Sequence, residues 1–355
     1  PEVDESRCSQ CGNCRSVCGA GLKVESAVKP CAYAAWHQVP QIRAEGTSGS
    51  VFTALAATVI REGGDVAGAA FSPDYRSVCH TVVDSDKGLA ALRGSKYVQS
   101  STEACFRDVL DALRLGRDVF FSGTPCQVHA LQRLARGCSS RLTTCDLVCH
   151  GVPSPGVFRS YLSELEEKKA SRITRYEFRD KRLGWNFPRV TVTYADGSVH
   201  RRIPWVDRFL NGFYAGVLLR PSCYLCPFAC PERVGDLTLG DCWRVAASHP
   251  RYDDNKGTSL VLVSSARGAS LLKRAQALGS LFVGEYALDL ACQRNTNLRS
   301  SAPQPPNRNV FFDRYLRTRR FDQASATYVR PWFLIRKRVE QAVKQLLWLF
   351  LRQHQ

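Results

Sequence analysis

Two groups of closely spaced cysteines constrain this chain more than any other feature of its sequence. The first, CSQCGNCRSVC, has C-x2-C-x2-C-x3-C spacing and comprises Cys8, Cys11, Cys14 and Cys18. Three thiolates on one tight loop can bind three irons of a four-iron cubane cluster. Zinc also binds C-x2-C pairs, but the triple spacing favours iron. The ligand that completes this cluster stays open between Cys18, Cys31 and a residue further upstream.

The second group lies in RPSCYLCPFACPERVGDLTLGDCW, residues 220 to 243. Its C-x2-C-x3-C run is formed by Cys223, Cys226 and Cys230. The run lacks a local fourth ligand, for which Cys126 in GTPCQ and Cys149 in VCHG are candidates, because each lies in a turn after a predicted strand. Residue reasoning leaves Cys230 and Cys242 unassigned.

Cysteine usage and hydropathy indicate the compartment. The chain has 355 residues, 44% of them hydrophobic, and its longest apolar stretch, LLWLFL, is far shorter than the roughly 20 residues of a membrane span. With no signal-peptide pattern, we predict a soluble, cytoplasmic protein whose thiols are reduced and serve metal or redox chemistry. Several cysteines lie outside these groups, and we expect their side chains to be buried and unreactive. They are Cys79, Cys105, Cys138, Cys145 and Cys292.

The net charge of +17 raises the possibility of nucleic-acid binding. No recognition helix or RNA-binding motif accompanies it, and the basic residues are spread along the chain. We therefore predict no nucleic-acid partner, and a basic surface suited to anionic cofactors or lipid.

Hydrophobic periodicity predicts alternating helices and strands. Residues 47–71 read as a helix that stops at a Gly-Gly pair before a strand, and residues 105–135 read as helix, strand, tight turn and helix. Residues 171–203 alternate with period two around an Asp-Gly turn, and residues 258–265 form another strand. These patterns predict a mixed α/β protein that binds ligands at its strand ends.

Several motifs occur in the order found in a known family. They are SGSVFTALA, LRGSKYVQS, FSGTPCQVHAL, DLVCHGVPSP, FRDKRLGW, LLRPSCYLCPF and RVGDLTLGDCW. Over residues 31 to about 295 the chain resembles the beta-subunit family of coenzyme F-420 hydrogenases and dehydrogenases, which are iron–sulfur flavoproteins. The resemblance implies FAD beside a four-iron four-sulfur (4Fe-4S) cluster, with one or two such clusters in the chain and a deazaflavin coenzyme as a candidate substrate.

The predicted fold class is α/β, with mixed α+β character. We expect a small N-terminal ferredoxin-like cluster module, a flavin-binding α/β body with a mixed sheet, and a C-terminal helical tail. The corresponding divisions are a ferredoxin-like iron–sulfur module at 1–30, an N-terminal flavin-binding region at 31–110, a cluster, flavin and substrate domain at 111–299, and a basic helical tail at 309–355.

The resemblance also implies roles for individual residues. It makes Cys126, Cys149, Cys223 and Cys226 the inner cluster set. It implies flavin contacts in the turns TSGS, GSKYVQS and GTPC and beside Cys149, namely Thr47, Ser48, Gly49, Ser50, Gly94, Ser95, Lys96, Tyr97, Gln99, Ser100, Gly123, Thr124 and His150. Ser50 replaces a glycine of the family pattern, and Cys242 stands where an aromatic residue is more usual.

The predicted function is an oxidoreductase that passes electrons between a ferredoxin-type donor and an organic hydride acceptor through FAD. The alternatives are a non-catalytic electron-transfer subunit of a larger redox complex and a zinc-stabilised binding protein. The expected partners are a ferredoxin-like donor or other redox subunits. The tail, with Val339, Ala342, Val343, Leu346 and Phe350 on one helical face, is expected to lie on an anionic membrane surface or to dock on protein.

Overall fold

The computed structural model describes residues 29–329 without a gap, and outside them residues 5–6, 8–19, 22, 24, 336, 339–340 and 343. In this part of the chain eleven strands are present: β1 (Cys31–His37), β2 (Asp65–Phe71), β3 (Val78–Val83), β4 (Val119–Ser122), β5 (Leu142–Leu147), β6 (Ile173–Asp180), β7 (Arg189–Tyr194), β8 (Val199–Arg202), β9 (Leu237–Asp241), β10 (Ser259–Val263) and β11 (Leu281–Glu285).

Thirteen α-helices lie in the same described residues. They are α1 (Asn13–Val17), α2 (Pro40–Glu45), α3 (Val51–Arg61), α4 (Asp86–Leu92), α5 (Glu103–Arg114), α6 (Pro125–Leu134), α7 (Pro155–Lys169), α8 (Arg208–Tyr214), α9 (Pro221–Tyr224), α10 (Ala266–Ala277), α11 (Leu288–Arg294), α12 (Asn307–Thr318) and α13 (Phe321–Ser325). The helices and strands predicted within 47–71, 105–135, 171–203 and 258–265 are confirmed.

The larger sheet has eight strands in the order β11-β1-β10-β9-β5-β4-β2-β3. Its four adjacent strands β9, β5, β4 and β2 run parallel, whereas β3, β10, β1 and β11 each pair antiparallel with a neighbour. The carboxyl ends of the parallel strands therefore meet at one edge, which is where α/β sheets bind ligands.

Helices cover both faces of this sheet. All four residues of β4 are buried, as expected for a central strand without a solvent face. Phe120 packs among residues of α3 and α10, and its neighbour Phe121 packs among residues of α5 and α6. Successive strand residues point to opposite faces, so the continuous apolar run VFFS fits this position in the middle of three layers.

A smaller sheet, in the order β6-β7-β8, forms a second core. It packs with α7, α8, α12 and α13 around side chains that are mostly aromatic. Fully buried aromatic residues of this core are Phe158, Tyr176, Phe178, Tyr194, Phe209, Phe311 and Phe321. This core stands beside the carboxyl edge of the larger sheet, since Arg179 near the end of β6 pairs with Asp241 at the end of β9.

Two predicted segment boundaries fall inside helices. The boundary between 31–110 and 111–299 lies within α5, and strands from both segments build one sheet. The boundary at 309 lies within α12, and the body continues through α13, because Glu164 accepts hydrogen bonds from the backbone N–H groups of Phe321 and Asp322 at 2.5 and 2.8 Å. We therefore place the start of the tail after Val329.

Most of the predicted tail lies outside the described residues. Of its predicted apolar face, Val339 and Val343 are described, and both are helical and exposed. Within the described part of the chain, no helix combines the length and the hydrophobicity that crossing a membrane requires.

Candidate cofactor and cluster site

A cavity of about 580 Å3 opens at the carboxyl edge of the parallel strands. Its wall includes the turns that follow β4 and β5, at Gly123 and Cys149, and the end of β9 at Asp241. Cavities that bind cofactors and small ligands measure roughly 300–1,000 Å3 and occur at this edge of α/β sheets. A ligand-sized space therefore lies where the predicted motifs converge.

The cavity brings together most of the predicted flavin contacts. The predicted residues that line it are Thr47, Ser48, Ser50, Gly94, Ser95, Lys96, Tyr97, Gln99, Ser100, Gly123, Thr124 and His150. Gly49 is the exception, because its α-carbon packs against the sheet: an added Cβ would lie 2.3 Å from the carbonyl oxygen of Ala35. Gly49 thus seats the TSGS turn on β1, and its neighbours in the turn face the cavity.

The TSGS turn requires an uncommon backbone conformation. Ser48 and Ser50 have φ angles of 51° and 60°, in the left-handed region that glycine adopts without strain. Their hydroxyls donate hydrogen bonds to the carbonyls of Thr258 and Ile42 at 2.7 and 2.8 Å. This geometry explains why a glycine would suit position 50, and the hydrogen bond of Ser50 offsets part of its backbone strain.

Lys181 anchors the same turn and was not singled out in the sequence. Its buried ammonium donates to the carbonyls of Arg43 and Ser48, both at 2.6 Å, and to that of Lys256 at 3.2 Å. The residue belongs to the motif FRDKRLGW, for which the sequence suggested no role. A lysine with its three donors directed at three carbonyls holds the turn against the body of the protein.

The predicted turns are joined to one another by side-chain hydrogen bonds. The hydroxyl of Thr47 accepts from the backbone N–H of Ser95 at 2.8 Å. The amide of Gln127, whose oxygen caps α6 at Thr124, donates to the hydroxyl of Ser100 at 2.9 Å. Segments far apart in the chain thus form one connected wall of the cavity.

Lys96 is the candidate charged group in this wall. Its ammonium donates to the carbonyls of Ala91 and Arg93 at 3.1 and 2.8 Å. Lys96 is half-buried, and burial lowers its pKa to about 7. An anion placed beside the amine would favour its charged form.

Arg179, Asp241 and Trp243 form a second group of charged and aromatic side chains that line the cavity. Arg179 donates to Asp241 at 2.6 Å, and its guanidinium lies 4.1 Å from the ring centroid of Trp185 and 5.5 Å from that of Trp243. Burial by itself would lower the pKa of Arg179. The electrostatic interactions with Asp241 and Tyr97 outweigh this effect of burial, so the pKa of Arg179 is raised. Trp243 remains 42% exposed, so it offers an open aromatic face.

Three separate loops carry the predicted inner-cluster cysteines. Cys126 occupies the second position of α6, Cys149 follows β5, and Cys223 and Cys226 lie in and after α9. Burial raises the pKa of Cys149, and so does repulsion from Cys126, Cys223 and Cys226, which shows that the four thiols are electrostatic neighbours. Cys126 and Cys149 also line the cavity.

These thiols fit an iron–sulfur cube in their chemistry, since such clusters are held by four cysteine thiolates. Bound cationic iron would favour the thiolate forms that burial disfavours. Among the residues that the structure describes, no three His, Cys, Asp or Glu side chains form a group that could hold a single metal ion. A cube carries its ligands on four separate corners, so the two observations are compatible.

The N-terminal cysteine segment packs beside the inner cysteines. Cys8, Cys11, Cys14 and Cys18 are exposed, and α1 packs on α6. Arg133 of α6 donates to the carbonyl of Ser16 at 3.0 Å. A Cβ at Gly19 would lie 2.6 Å from the ring of Phe228, two residues after Cys226. The small residue after Cys18 therefore allows this segment to sit against the loop of Cys226.

The remaining cysteines divide into two groups, and none of the sixteen cysteines, all of which lie within the described residues, forms a disulfide bond. Cys105, Cys145 and Cys242 are buried, and burial raises the pKa of Cys105 and of Cys242 to about 12. The others outside the two predicted cluster sets are half-buried or exposed, namely Cys31, Cys79, Cys138, Cys230 and Cys292. The expectation of buried side chains is thus confirmed for Cys105 and Cys145, but it is wrong for Cys79, Cys138 and Cys292.

Comparison with known proteins agrees with this geometry. Residues 116–289 match the family model that describes the C-terminal part of the beta subunit of coenzyme F420 hydrogenase/dehydrogenase. This segment belongs to that family. The matched range contains Cys126, Cys149, Cys223 and Cys226.

A solved structure shares the fold of this chain. It is a chain of the F420-reducing NiFe hydrogenase complex from Methanosarcina barkeri, with a TM-score of 0.54 and 16% sequence identity. The match covers 84% of this chain and 98% of that one. No curated protein matches the chain. The family indicates redox electron transfer, and the shared fold confirms the predicted mixed α/β class.

Proposed function

We propose that the protein is an iron–sulfur flavoprotein oxidoreductase that passes electrons between a ferredoxin-type donor and an organic hydride acceptor through FAD. The observation that carries the proposal is the composition of the cavity wall. Predicted flavin contacts from three distant turns and two predicted cluster cysteines, Cys126 and Cys149, line the same cavity. A cofactor bound there lies next to the inner cysteine set.

The order of the cysteine groups supports a path for electrons. The N-terminal segment packs on α6, and α6 begins beside Cys126, which lines the cavity. We propose two 4Fe-4S clusters, an outer one at Cys8, Cys11, Cys14 and Cys18 and an inner one at Cys126, Cys149, Cys223 and Cys226. A bound flavin supplies the exchange between single electrons and a hydride.

The residues of the cavity have distinct tasks in this proposal. Lys96 attracts an anionic part of the cofactor, because an anion beside the amine raises the pKa that burial lowers to about 7 and so favours the charged ammonium. The paired Arg179 and Asp241 fix a polar wall without leaving an unpaired charge. Trp243 provides an exposed face on which a planar acceptor such as a deazaflavin can stack.

A second candidate is a subunit that delivers electrons within a larger redox complex. The similar solved chain belongs to a hydrogenase complex. In addition, Leu225 is 85% exposed although it lies between Cys223 and Cys226. An exposed apolar side chain beside a cluster suits contact with a donor protein or another subunit.

Anaerobic purification followed by metal analysis and release of the flavin tests the proposal. We expect FAD and at least one four-iron cluster per chain. Stoichiometric zinc without iron would support a zinc-stabilised binding protein instead. Turnover of a deazaflavin by the isolated chain supports the enzyme, whereas reduction of the bound flavin without any turnover supports the electron-transfer role.

A further inference from the structure

His80 lines the same cavity, although no sequence motif singled it out. It lies on β3, is 5% exposed, and stacks on Phe121 with ring centroids 5.2 Å apart. Its Nε2 atom is 3.0 Å from the carbonyl oxygen of Ser122. A carbonyl can only accept a hydrogen bond, so Nε2 carries the hydrogen and donates it.

The other ring nitrogen of His80 has no partner. Nδ1 is buried and makes no hydrogen bond within the described protein. Burial lowers the pKa of His80 to about 4, and although the bond to Ser122 acts in the opposite direction, the charge of Lys96 adds to the lowering. The ring is therefore neutral at physiological pH, and Nδ1 remains a hydrogen-bond acceptor without a donor.

The surroundings fix the ring in this position. Ala69 is the cross-strand partner of His80, and Gly68 precedes it; both small residues line the cavity and leave room for the ring to reach β4. A Cβ on Gly123 would lie 3.2 Å from Nε2, so the glycine allows the ring to lie directly beside the turn. An unsatisfied acceptor on a side chain that lines a cavity is a costly arrangement unless a bound group supplies a donor.

We propose that Nδ1 of His80 accepts a hydrogen bond from an N–H or O–H group of the flavin cofactor. The inference rests on the proposed function, because it requires FAD in the cavity. Flavin phosphates have no hydrogen to donate near neutral pH, whereas the ring imide, the ribityl hydroxyls, the hydroxyls of the adenosine ribose and the adenine amine do. His80 therefore recognises a donor-bearing part of the cofactor, and Lys96 recognises an anionic part.

Two substitutions distinguish the contributions of the two ring nitrogens of His80 to FAD binding. His80→Asn places a side-chain oxygen near the position of Nδ1 and loses the donor to Ser122, whereas His80→Gln keeps a donor near the position of Nε2 and loses the acceptor. FAD retention by the full-length holoprotein is measured by ultrafiltration at a series of dilutions, with thermal unfolding as the check on folding. We expect His80→Gln to weaken FAD binding about tenfold, as the loss of one hydrogen bond does, and His80→Asn to weaken it less.

The reverse ranking would overturn the inference, because it would assign the effect to the bond with Ser122. Wild-type FAD retention in His80→Gln would also overturn it. Absence of FAD from the wild-type holoprotein would overturn the proposed function as well. Comparison of lumiflavin, riboflavin and FAD then locates the donor. A loss of affinity for all three indicates the imide, and a loss restricted to riboflavin and FAD indicates the ribityl chain. A loss restricted to FAD indicates the adenosine half, which carries the ribose hydroxyls and the adenine amine.

Discussion

At the scale of single residues, we expect Lys96 to make the binding of an anionic cofactor depend on pH. Burial lowers its pKa to about 7, so the free cavity holds a partly neutral amine near physiological pH. An adjacent anion raises that pKa, and binding therefore takes up a proton. We expect FAD affinity to be fully present below pH 7 and to fall as the pH rises above 7, measured by retention of flavin at a series of pH values.

Lys96→Ala should weaken FAD binding by roughly 10- to 100-fold at about pH 6.5, the effect of losing one charge-assisted hydrogen bond, and should flatten the pH dependence. Lys87→Ala is a matched control, because Lys87 is exposed on α4 and does not line the cavity. An unchanged pH profile in Lys96→Ala would show that this amine does not contact the cofactor.

At the scale of elements, Lys181, directly after β6, links the smaller sheet to the TSGS turn before α3. Lys181→Met keeps much of the side-chain volume but leaves the carbonyls of Arg43 and Ser48 without their donor. We expect a loss of roughly 1–3 kcal/mol in the free energy of unfolding, measured by urea denaturation, because buried acceptors lose their hydrogen bonds. FAD retention should fall as well, because Ser48 lies in the cavity wall.

Lys256→Met is the control for this element. Lys256 accepts from Lys181 only through its backbone carbonyl, and its own side chain is 61% exposed. Its substitution should leave both measurements at their wild-type values. Equal effects of the two substitutions would mean that Lys181 does not hold the turn.

At the scale of the whole molecule, the inner cysteines connect loops from distant parts of the chain. Cys226→Ala should remove the iron of the inner cluster and lower the melting temperature, because metal-binding free energy is partly folding free energy. Cys138→Ala is the control, since Cys138 is half-buried and donates only to the carbonyl of Ala135. Wild-type iron content and melting temperature in Cys226→Ala would contradict the assignment of this ligand.

The C-terminal tail is expected to bind the whole molecule to an anionic membrane surface. We expect the full chain to co-sediment with vesicles that contain anionic lipid, and salt to weaken this binding, because exposed apolar residues and basic residues occur together there. A chain that ends at Val329 should stay in the supernatant with FAD bound. An earlier end, within α13, would remove buried residues and confuse loss of folding with loss of membrane binding.

Comparison of the two chains gives a clear result in either direction. Equal sedimentation would exclude a membrane role for the tail. Loss of FAD from the chain that ends at Val329 would show that the tail belongs to the fold.

The amino-acid sequence by itself determined the fold class and predicted the class of chemistry. Cysteine spacing within CSQCGNCRSVC and the alternation of helical and strand periods are local properties, so they are readable without a structure. The family motifs also pointed to the turns that line the cavity. Local patterns did not show that α12 and α13 belong to the body, since their burial depends on contacts with α7 and α8.

Only the tertiary structure decided which distant residues meet. Strand order brings the turns after β4 and β5 to the same cavity, and the smaller sheet brings Arg179 to Asp241 and Lys181 to the TSGS turn. The unpartnered Nδ1 of His80 is likewise visible only once β3 and β4 are placed on either side of β2. The physical reason is that these contacts depend on pairing between segments far apart in the chain, which no local spacing or periodicity encodes.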